Sequence, residues 1–531
     1  MQSDDRTDLA TQRTLIDSLL DSGRYPHAAR NVRLVETHIS WVLLAGRYVY
    51  KIKKAVDPGF LDFMDLSSRR HYCEEELRLN RRLAPRIYLD VIPVGGTPRE
   101  PALNTLPAIE YAVRMKRFPA SRELDRMAAR GKLLPRHMDS LATTIAQFHA
   151  ALPPAEAGSA FGSAENVHAA VSDVFDQLQA VLKDGEDKAA ATLLRRAMET
   201  EYARRRDHFT QRRIQGFIRE CHGDLHLGNI VLVGEQPVPF DGIEFSPALR
   251  WIDVMSEVAF TVMDLLRFRH PGLAYRFLNA YLEITGDYSG ISLLRYYVAY
   301  RAAVRAMVSA IRAGQTNLSG RSATKALTES HDFLALAREY LAQRRSALII
   351  THGLPGSGKS TFAQAALERL QGIRIRSDVE RKRLFGLGAL SSSRSQADDI
   401  YRPDATQRTY KRLHELAREL LTGGFPVVVD AAFLRRDERS CFQELAHELG
   451  VPFAIASIRA DTSTSRARII QRQNAAKDAS EAGLAVLDLL RDQQETLSPR
   501  EQDRVVEFIN EEPGFSPSNQ AWSRLTETLR L

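Results

Sequence analysis

Gly353, Leu354, Pro355, Gly356, Ser357, Gly358, Lys359, Ser360 and Thr361 follow one another as GLPGSGKST, which fits G-x-x-x-x-G-K-[ST]. An apolar run at 347–350 precedes them, and Phe362, Ala363, Ala366, Leu367 and Leu370 mark one helical face after them. A strand, a glycine-rich turn and a helix in that order make a phosphate cradle. Glycines let the backbone wrap closely, so that its N–H groups point at phosphate oxygens. The helix N-terminus adds the positive end of its dipole. Lys359 is then placed to reach the β- and γ-phosphates of ATP, and the Ser360 hydroxyl to ligate Mg²⁺, with Thr361 beside it.

Two acids stand where such chemistry needs them. Asp378 ends the strand after Gly372, and Asp430 ends the most apolar strand, 427–429. Ligands of parallel sheets bind beyond the carboxyl ends of the strands. Asp430 is thus the expected Mg²⁺ acid, and Asp378 the expected base or positioner of an acceptor hydroxyl. Arg381, Lys382, Arg383 and Arg439 add positive charge, and Arg468 and Arg472, four apart, share a helix face from which they could clamp a transferring phosphoryl group. The pieces GLPGSGKST, RSDVERKRLFG and VVVDAAFLRRDER, with Arg468-x-x-x-Arg472, resemble small P-loop kinases, among them gluconate kinase, the kinase part of polynucleotide kinase and zeta toxins. That resemblance implies phosphoryl transfer from ATP and leaves the acceptor open.

A second constellation lies upstream. CHGDLHLGNI, 221–230, sets Asp224 five residues before Asn229, and PFDGIEF follows with Asp241. It resembles the aminoglycoside phosphotransferase family, a branch of the protein-kinase-like fold, whose mark is H-G-D-x-H-x-x-N followed by a strand-end acid. The spacing also fits the kinase loop H-R-D-x-x-x-x-N. The resemblance implies that Asp224 orients the substrate hydroxyl, that Asn229 and Asp241 hold Mg²⁺, that His222 braces the loop, and that Asp253 supports it. It also implies a lysine on an early strand and a glutamate on the next helix. YVYKIKK offers Lys51, with Lys53 as alternative, and Glu76 is preferred over its neighbours Glu74 and Glu75. Leu227 replaces the proline usual in the motif, and no G-x-G-x-x-G loop is present. A Zn²⁺ site on His222, Asp224 and His226 is the competing reading, which the kinase spacing disfavours.

The elements that must hold these residues read as follows. Strands at 32–36, 41–44 and 48–52, a helix at 68–83 and strands at 87–94 and 109–116 make a small sheet with one helix. Met138, Leu141, Ile145, Phe148 and Leu152 repeat at helical spacing up to Pro153-Pro154. From 250 to about 341 the texture is helical. After the arginines at 344–345, strands at 348–351, 373–376, 427–430 and 453–458 alternate with helices such as 404–421, the pattern of a parallel sheet covered by helices. The expected fold is an α+β, bilobal, protein-kinase-like domain at 1–345 followed by an α/β P-loop domain at 346–531.

Composition fits this reading. The chain of 531 residues is too long for one ordinary core, and 44% hydrophobic with 26% charged residues is usual for a soluble globular protein. No apolar run approaches the roughly 18 residues of a membrane helix, and the acidic, polar start carries no leader-like core, so a cytoplasmic location with no membrane partner is expected. The three cysteines are scattered and show neither metal spacing nor a disulfide framework. A net charge of +7 favours anionic partners, which ATP and phosphorylated compounds satisfy. A small-molecule hydroxyl is the expected acceptor. The rival readings are a ligand-sensing regulatory N-terminal domain and a polynucleotide kinase-like C-terminal one; the latter rests on basic segments at 381–383 and 435–439, and few aromatics lie nearby to stack bases.

Overall fold

The computed structural model describes residues 8–57, 62–183, 185–314, 320–389, 391, 400, 402–475, 479–481, 483–510 and 519–531. They group into two compact units, one of Met1–Leu133, Gln147–Val167 and Phe209–Asp264, the other of Leu134–Ala146, His168–His208 and Leu265–Leu531. Among the described residues, no helix is long and apolar enough to cross a membrane.

The first unit is built on a six-stranded sheet in the order Arg33–Glu36, Ser40–Ala45, Tyr48–Lys53, Ala108–Lys116, Tyr88–Thr97, Glu100–Leu103. Its pairings are antiparallel throughout. Side chains alternate along Tyr48–Lys53, so one face differs chemically from the other. Tyr50 and Ile52 pack with Leu15 and Ile16 of the helix Leu9–Ser18 and with Leu19 just after it. Val49 faces the other way, toward Cys73 of the helix Leu66–Asn80, and Lys51 and Lys53 share its parity.

The N-terminal helix is tied to the lysine strand by one amide. Gln12 Nε2 donates to the Lys53 carbonyl at 2.7 Å and to Glu110 at 2.8 Å, while its Oε1 accepts from Trp41 Nε1 and the Ala55 N–H, both at 2.9 Å. Glu110 in turn receives Arg69 Nε at 3.0 Å, with both side chains essentially out of water. A buried carboxylate is tolerable only when paired and hydrogen-bonded, so these contacts fix the helix Leu66–Asn80 against the sheet. Neither the helix Leu9–Ser18 nor the strand Glu100–Leu103 is anticipated from sequence. The former has only a thin apolar stripe in a polar stretch, and the latter contains Pro101, which demotes a run to an edge.

The rest of this unit carries short, irregular elements. Ile218–Glu220 pairs with Trp251–Asp253, and Ile230–Val233 forms a hairpin with Gln236–Pro239. Between them lies a single 3₁₀ turn, Leu227–Asn229, and beyond them runs the apolar helix Val254–Arg267.

The second unit holds a five-stranded sheet in the order Ile373–Arg376, Pro426–Asp430, Ala347–His352, Phe453–Arg459, Val505–Ile509. Each pairing is parallel. Its strands are almost continuously buried, as expected of a parallel sheet covered on both faces. Phe362, Ala363 and Ala366 of the helix Lys359–Leu370 join Val428, Phe508 and Trp522 in its core. The strand Val505–Ile509 is a short apolar run that reads equally as strand or buried helix, and sequence alone does not assign it. The helices Pro271–Thr285, Ile291–Ala313 and Gly320–Ala342 belong to this unit with the sheet.

Replacing Arg69 by Met would leave Glu110 buried without its cation, which typically costs about 3–5 kcal/mol. We expect the unfolding transition that carries Trp41 fluorescence to shift accordingly in urea, while nucleotide-independent signals from Trp522 shift far less.

Candidate functional site

In the first unit five charged side chains interlock. Lys51 Nζ donates to Glu76 at 2.9 Å and to Asp241 at 2.6 Å. Lys53 Nζ donates to the other oxygen of Glu76 at 2.6 Å and also meets Glu244. Both lysines, Glu76 and Glu244 are buried. Burial alone would depress Lys51, yet Asp241, Glu76 and Glu244 hold its ammonium well above the usual lysine range. Burial alone would raise the Asp241 carboxyl, and Lys51 brings it below its usual value instead. Glu74 and Glu75 pair with Arg70 and Arg78 at the surface, so Glu76 is the one of the three acids that faces the lysine strand. The second pair, Lys53 with Glu244, is not foreseen as part of the site; the signal for it was the second lysine of YVYKIKK, two residues on and hence on the same strand face.

Asp241 takes a positive φ of 63°, and the backbone there is pinned on both sides. Its N–H donates to the Tyr88 hydroxyl at 3.1 Å, and the next N–H, of Gly242, donates to Asn80 Oδ1 at 2.8 Å. Tyr88 and Asn80 come from the sheet and from the helix that bears Glu76, so the same two elements aim both Glu76 and Asp241.

Asp224 and Asn229 meet across the 3₁₀ turn. Asn229 Nδ2 donates to the Asp224 carbonyl at 3.0 Å and to its carboxylate at 2.9 Å. His226 Nδ1 accepts the Gly228 N–H at 3.0 Å, which leaves Nε2 as the N–H end, 3.4 Å from Asp224 Oδ2. His226 therefore steers Asp224, a part that the sequence does not assign to it. His222 donates from Nε2 to the Phe240 carbonyl at 2.9 Å, and burial pushes its pKa down, so it is the neutral ring that ties the loop to the Asp241 segment. Gly223 has φ of 87°, and a Cβ there would stand 2.8 Å from the Leu249 carbonyl oxygen, so no other residue fits.

The loop is held from beneath by one face of the helix Val254–Arg267. Glu257 accepts the His222 N–H at 2.6 Å and the Gly223 N–H at 2.8 Å, Thr261 donates to the Leu225 carbonyl at 2.8 Å, and Asp264 accepts the Leu227 N–H at 2.9 Å. This corrects the expectation for Asp253. That residue is engaged by Arg212 at 2.6 and 2.7 Å and accepts the Met255 N–H, while the support of the loop comes from Glu257. The signal was legible: Glu257, Thr261 and Asp264 are polar residues at helical spacing in an otherwise apolar stretch. Among the described residues, the group with metal-ligand proximity is His149, Cys221 and Glu257, not His222, Asp224 and His226. Its atoms already have work, since Glu257 takes two amides and His149 Nε2 at 2.7 Å.

In the second unit the phosphate cradle leaves the central strand Ala347–His352 and enters the helix Lys359–Leu370. Gly353, Gly356 and Gly358 have φ of 149°, 81° and 101°, which open the loop into a ring of N–H groups. Gly358 is required for a second reason: a Cβ there would collide with the Asn510 amide, whose Nδ2 donates to the Ser357 carbonyl at 2.9 Å. Lys359 Nζ lies across the loop and donates to the Leu354 carbonyl at 2.9 Å. Burial pushes its pKa down to about 8, against the opposing charges of Asp430 and Asp378.

Asp430 ends the strand next to the cradle, buried, with Oδ2 lacking a hydrogen-bond donor. Burial raises its carboxyl, and Arg376, Arg374, a hydrogen bond from Ser360 and Lys359 work against that rise. Asp378 lies not in the strand but in the first turn of the helix Ser377–Leu384, where it also favours the helix dipole. Arg468 donates to the Asn510 carbonyl at 2.9 Å and to its Oδ1 at 3.3 Å, and Arg472 lies near enough to oppose protonation of Lys359. Of the Arg-x-x-x-Arg pair, Arg468 is thus joined to the cradle through Asn510. By contrast Arg381, Lys382 and Arg439 are buried in structural contacts, with the Ile400 carbonyl, Glu481 and Glu501 respectively, rather than offered to solvent.

The depressed Lys359 gives a pH signature with a definite sign. A bound phosphate favours the ammonium form, so affinity is full while Lys359 is protonated and falls as pH rises through about 8. In full-length protein carrying Asp241→Asn, calorimetry with a nonhydrolysable ATP analogue and Mg²⁺ is expected to show affinity declining toward tenfold per pH unit above that point. Lys359→Arg, which stays charged, flattens the decline.

Among known proteins, the profile of the AAA domain family matches residues 348–497. Over 453 residues the chain is 29% identical to an uncharacterized protein of Mycobacterium tuberculosis, a span of 84% of this chain and 87% of that one. A gluconokinase from Sinorhizobium meliloti, 21% identical, covers 35% of this chain and 92% of its own, with a TM-score of 0.24. A choline/ethanolamine kinase family protein from Mesorhizobium loti, 12% identical, covers 61% and 99%, with a TM-score of 0.36. Residues 348–497, which carry the cradle, thus match the AAA domain family.

Proposed function

We propose that the protein is an ATP- and Mg²⁺-dependent phosphotransferase with two nucleotide sites, which passes the γ-phosphoryl group to a hydroxyl of a small molecule. The observation that carries this reading is the bridge of Lys51 to Glu76 at 2.9 Å and to Asp241 at 2.6 Å. A lysine held between a helix glutamate and a strand-end aspartate is the arrangement that fixes ATP phosphates in protein-kinase-like sites. The division of labour follows the chain, with one constellation on 1–345 and the other on 346–531. A cytoplasmic location supplies the ATP.

In the first site the acceptor oxygen attacks the γ-phosphorus, the bond from that phosphorus to the bridging oxygen breaks to leave ADP, and the hydroxyl proton passes to the Asp224 carboxylate. Asn229 and His226 hold that carboxylate in line. Asn229 and Asp241 are oxygen donors suited to Mg²⁺, as are Ser360 and Asp430, whose buried Oδ2 has no hydrogen-bond donor. A bound Mg²⁺ would neutralise charge on the phosphate oxygens. In the second site Lys359 and the loop N–H groups bind phosphates, Arg468 and Arg472 add charge where it develops, and Asp378 takes the part of base.

A metabolite-library screen of the full chain for an ATP-dependent mass gain of one phosphoryl group tests this. Asp224→Asn is expected to lower transfer to the acceptor of the first site by about 10²–10⁴-fold with folding intact. Lys359→Ala is expected to abolish transfer at the second site alone. Unchanged turnover in folded Asp224→Asn protein would end the assignment of the first site. Labelling of 5′-hydroxyl oligonucleotides in place of any metabolite would reassign the acceptor of the second.

A further inference from the structure

The strand Ile373–Arg376 is an edge of the parallel sheet, and a helix covers it. Asn279, on the helix Pro271–Thr285, donates from Nδ2 to the Gly372 carbonyl at 3.0 Å and accepts the Arg374 N–H on Oδ1 at 2.7 Å. One side-chain amide thereby pairs with backbone groups that an edge strand otherwise leaves open. This fixes the register of the helix against the strand. One turn later on the same helix face stands Glu283.

Arg374 and Arg376 leave the strand on one face, since they are two residues apart. Glu283 takes both: Arg374 Nη2 lies 2.8 Å from Oε2 and Arg376 Nη1 lies 3.0 Å from Oε1. The far sides of the same guanidinium groups reach the phosphate cradle. Arg376 Nε is 3.5 Å from Asp430 Oδ2, and Arg374 Nη1 is 3.5 Å from the Ser360 carbonyl. Asp430 Oδ2 is the buried oxygen with no hydrogen-bond donor.

We infer that Glu283 is a positioning residue of the P-loop site, which draws Arg374 and Arg376 to itself and so keeps an oxygen of Asp430 open for a divalent cation bound with the nucleotide. This rests on the P-loop reading above. Guanidinium groups form their strongest pairs with carboxylates in a forked, two-bond geometry. Glu283 occupies one prong of each arginine. Without it, Arg376 still has the Asp430 carboxylate 3.5 Å away, and closure of that pair would consume the acid that the cation needs. The helix that carries Glu283 precedes the P-loop by some seventy residues in sequence, yet it belongs to the machinery of that site.

The test uses the full chain with Asp241→Asn, so that the P-loop site alone takes nucleotide, and measures binding of a nonhydrolysable ATP analogue with and without Mg²⁺. Glu283→Gln is expected to weaken Mg²⁺-dependent binding about 10–100-fold, while Mg²⁺-free binding changes little. Adding Arg376→Gln to Glu283→Gln is expected to restore most of the Mg²⁺ dependence, because the competitor for Asp430 is gone. Equal losses with and without Mg²⁺, no loss at all, or no restoration in the double variant would each overturn the inference. If Glu283→Gln does not fold, Arg376→Gln alone decides: tighter Mg²⁺-dependent binding supports the inference and weaker binding overturns it. Absence of any binding in the Asp241→Asn parent would instead remove the P-loop reading itself, before Glu283 is touched.

Discussion

Glu76 has no exposed surface and sits between two ammonium groups. A carboxylate in that position is stable only with charge partners and hydrogen bonds on both oxygens, because the cost of removing it from water is several kcal/mol. That single requirement organises the first unit. The strand must present Lys51 and Lys53 on one face, the helix must approach closely enough to insert Glu76, and the segment after Gln236–Pro239 must bring Asp241 and Glu244 to complete the lattice. Gln12, Arg69 and Glu110 lock the sheet and helix on the side away from the site, so the charges meet with little freedom to move.

The same constraint acts in the second unit with a different backbone. Asp430 is buried and Lys359 is partly covered, and each shifts the other's proton affinity toward the charged form. Here the loop is the rigid part. Its positive-φ glycines and the Asn510 amide fix the ring of N–H groups, and the parallel sheet delivers Asp430 at a strand's carboxyl end, with Asp378 in the first turn of the helix that follows the adjacent strand. Preorganised dipoles and charges of this kind stabilise developing negative charge without reorganising at the moment of reaction.

Much of this was legible in the chain because the relevant information is local. GLPGSGKST needs a strand before it and a helix after it, and both are written in the neighbouring apolar spacing. The strands that carry Lys51, Asp430 and the cradle, and the helix that carries Glu76, are found within a few residues of where hydrophobic periodicity puts them. Asp378 slipped from a strand end to a helix start because a strand boundary and a helix first turn both favour aspartate. The strand Val505–Ile509 and the helix Leu9–Ser18 were missed because a short apolar run or a thin stripe does not specify its own partner.

What the sequence by itself determined was which residue types stand at which separations: the cradle motif, the Asp-x-x-x-x-Asn loop and the acid at the end of the strand Pro426–Asp430. What only the tertiary structure decided was which charged groups are buried together. The choice of Glu76 over its neighbours, the second pair of Lys53 with Glu244, the support of the loop by Glu257 and the capture of two sheet arginines by Glu283 all join residues far apart in the chain. Coulombic and hydrogen-bond partners are set by distance in space and by exclusion of water, and neither quantity is written in sequence spacing.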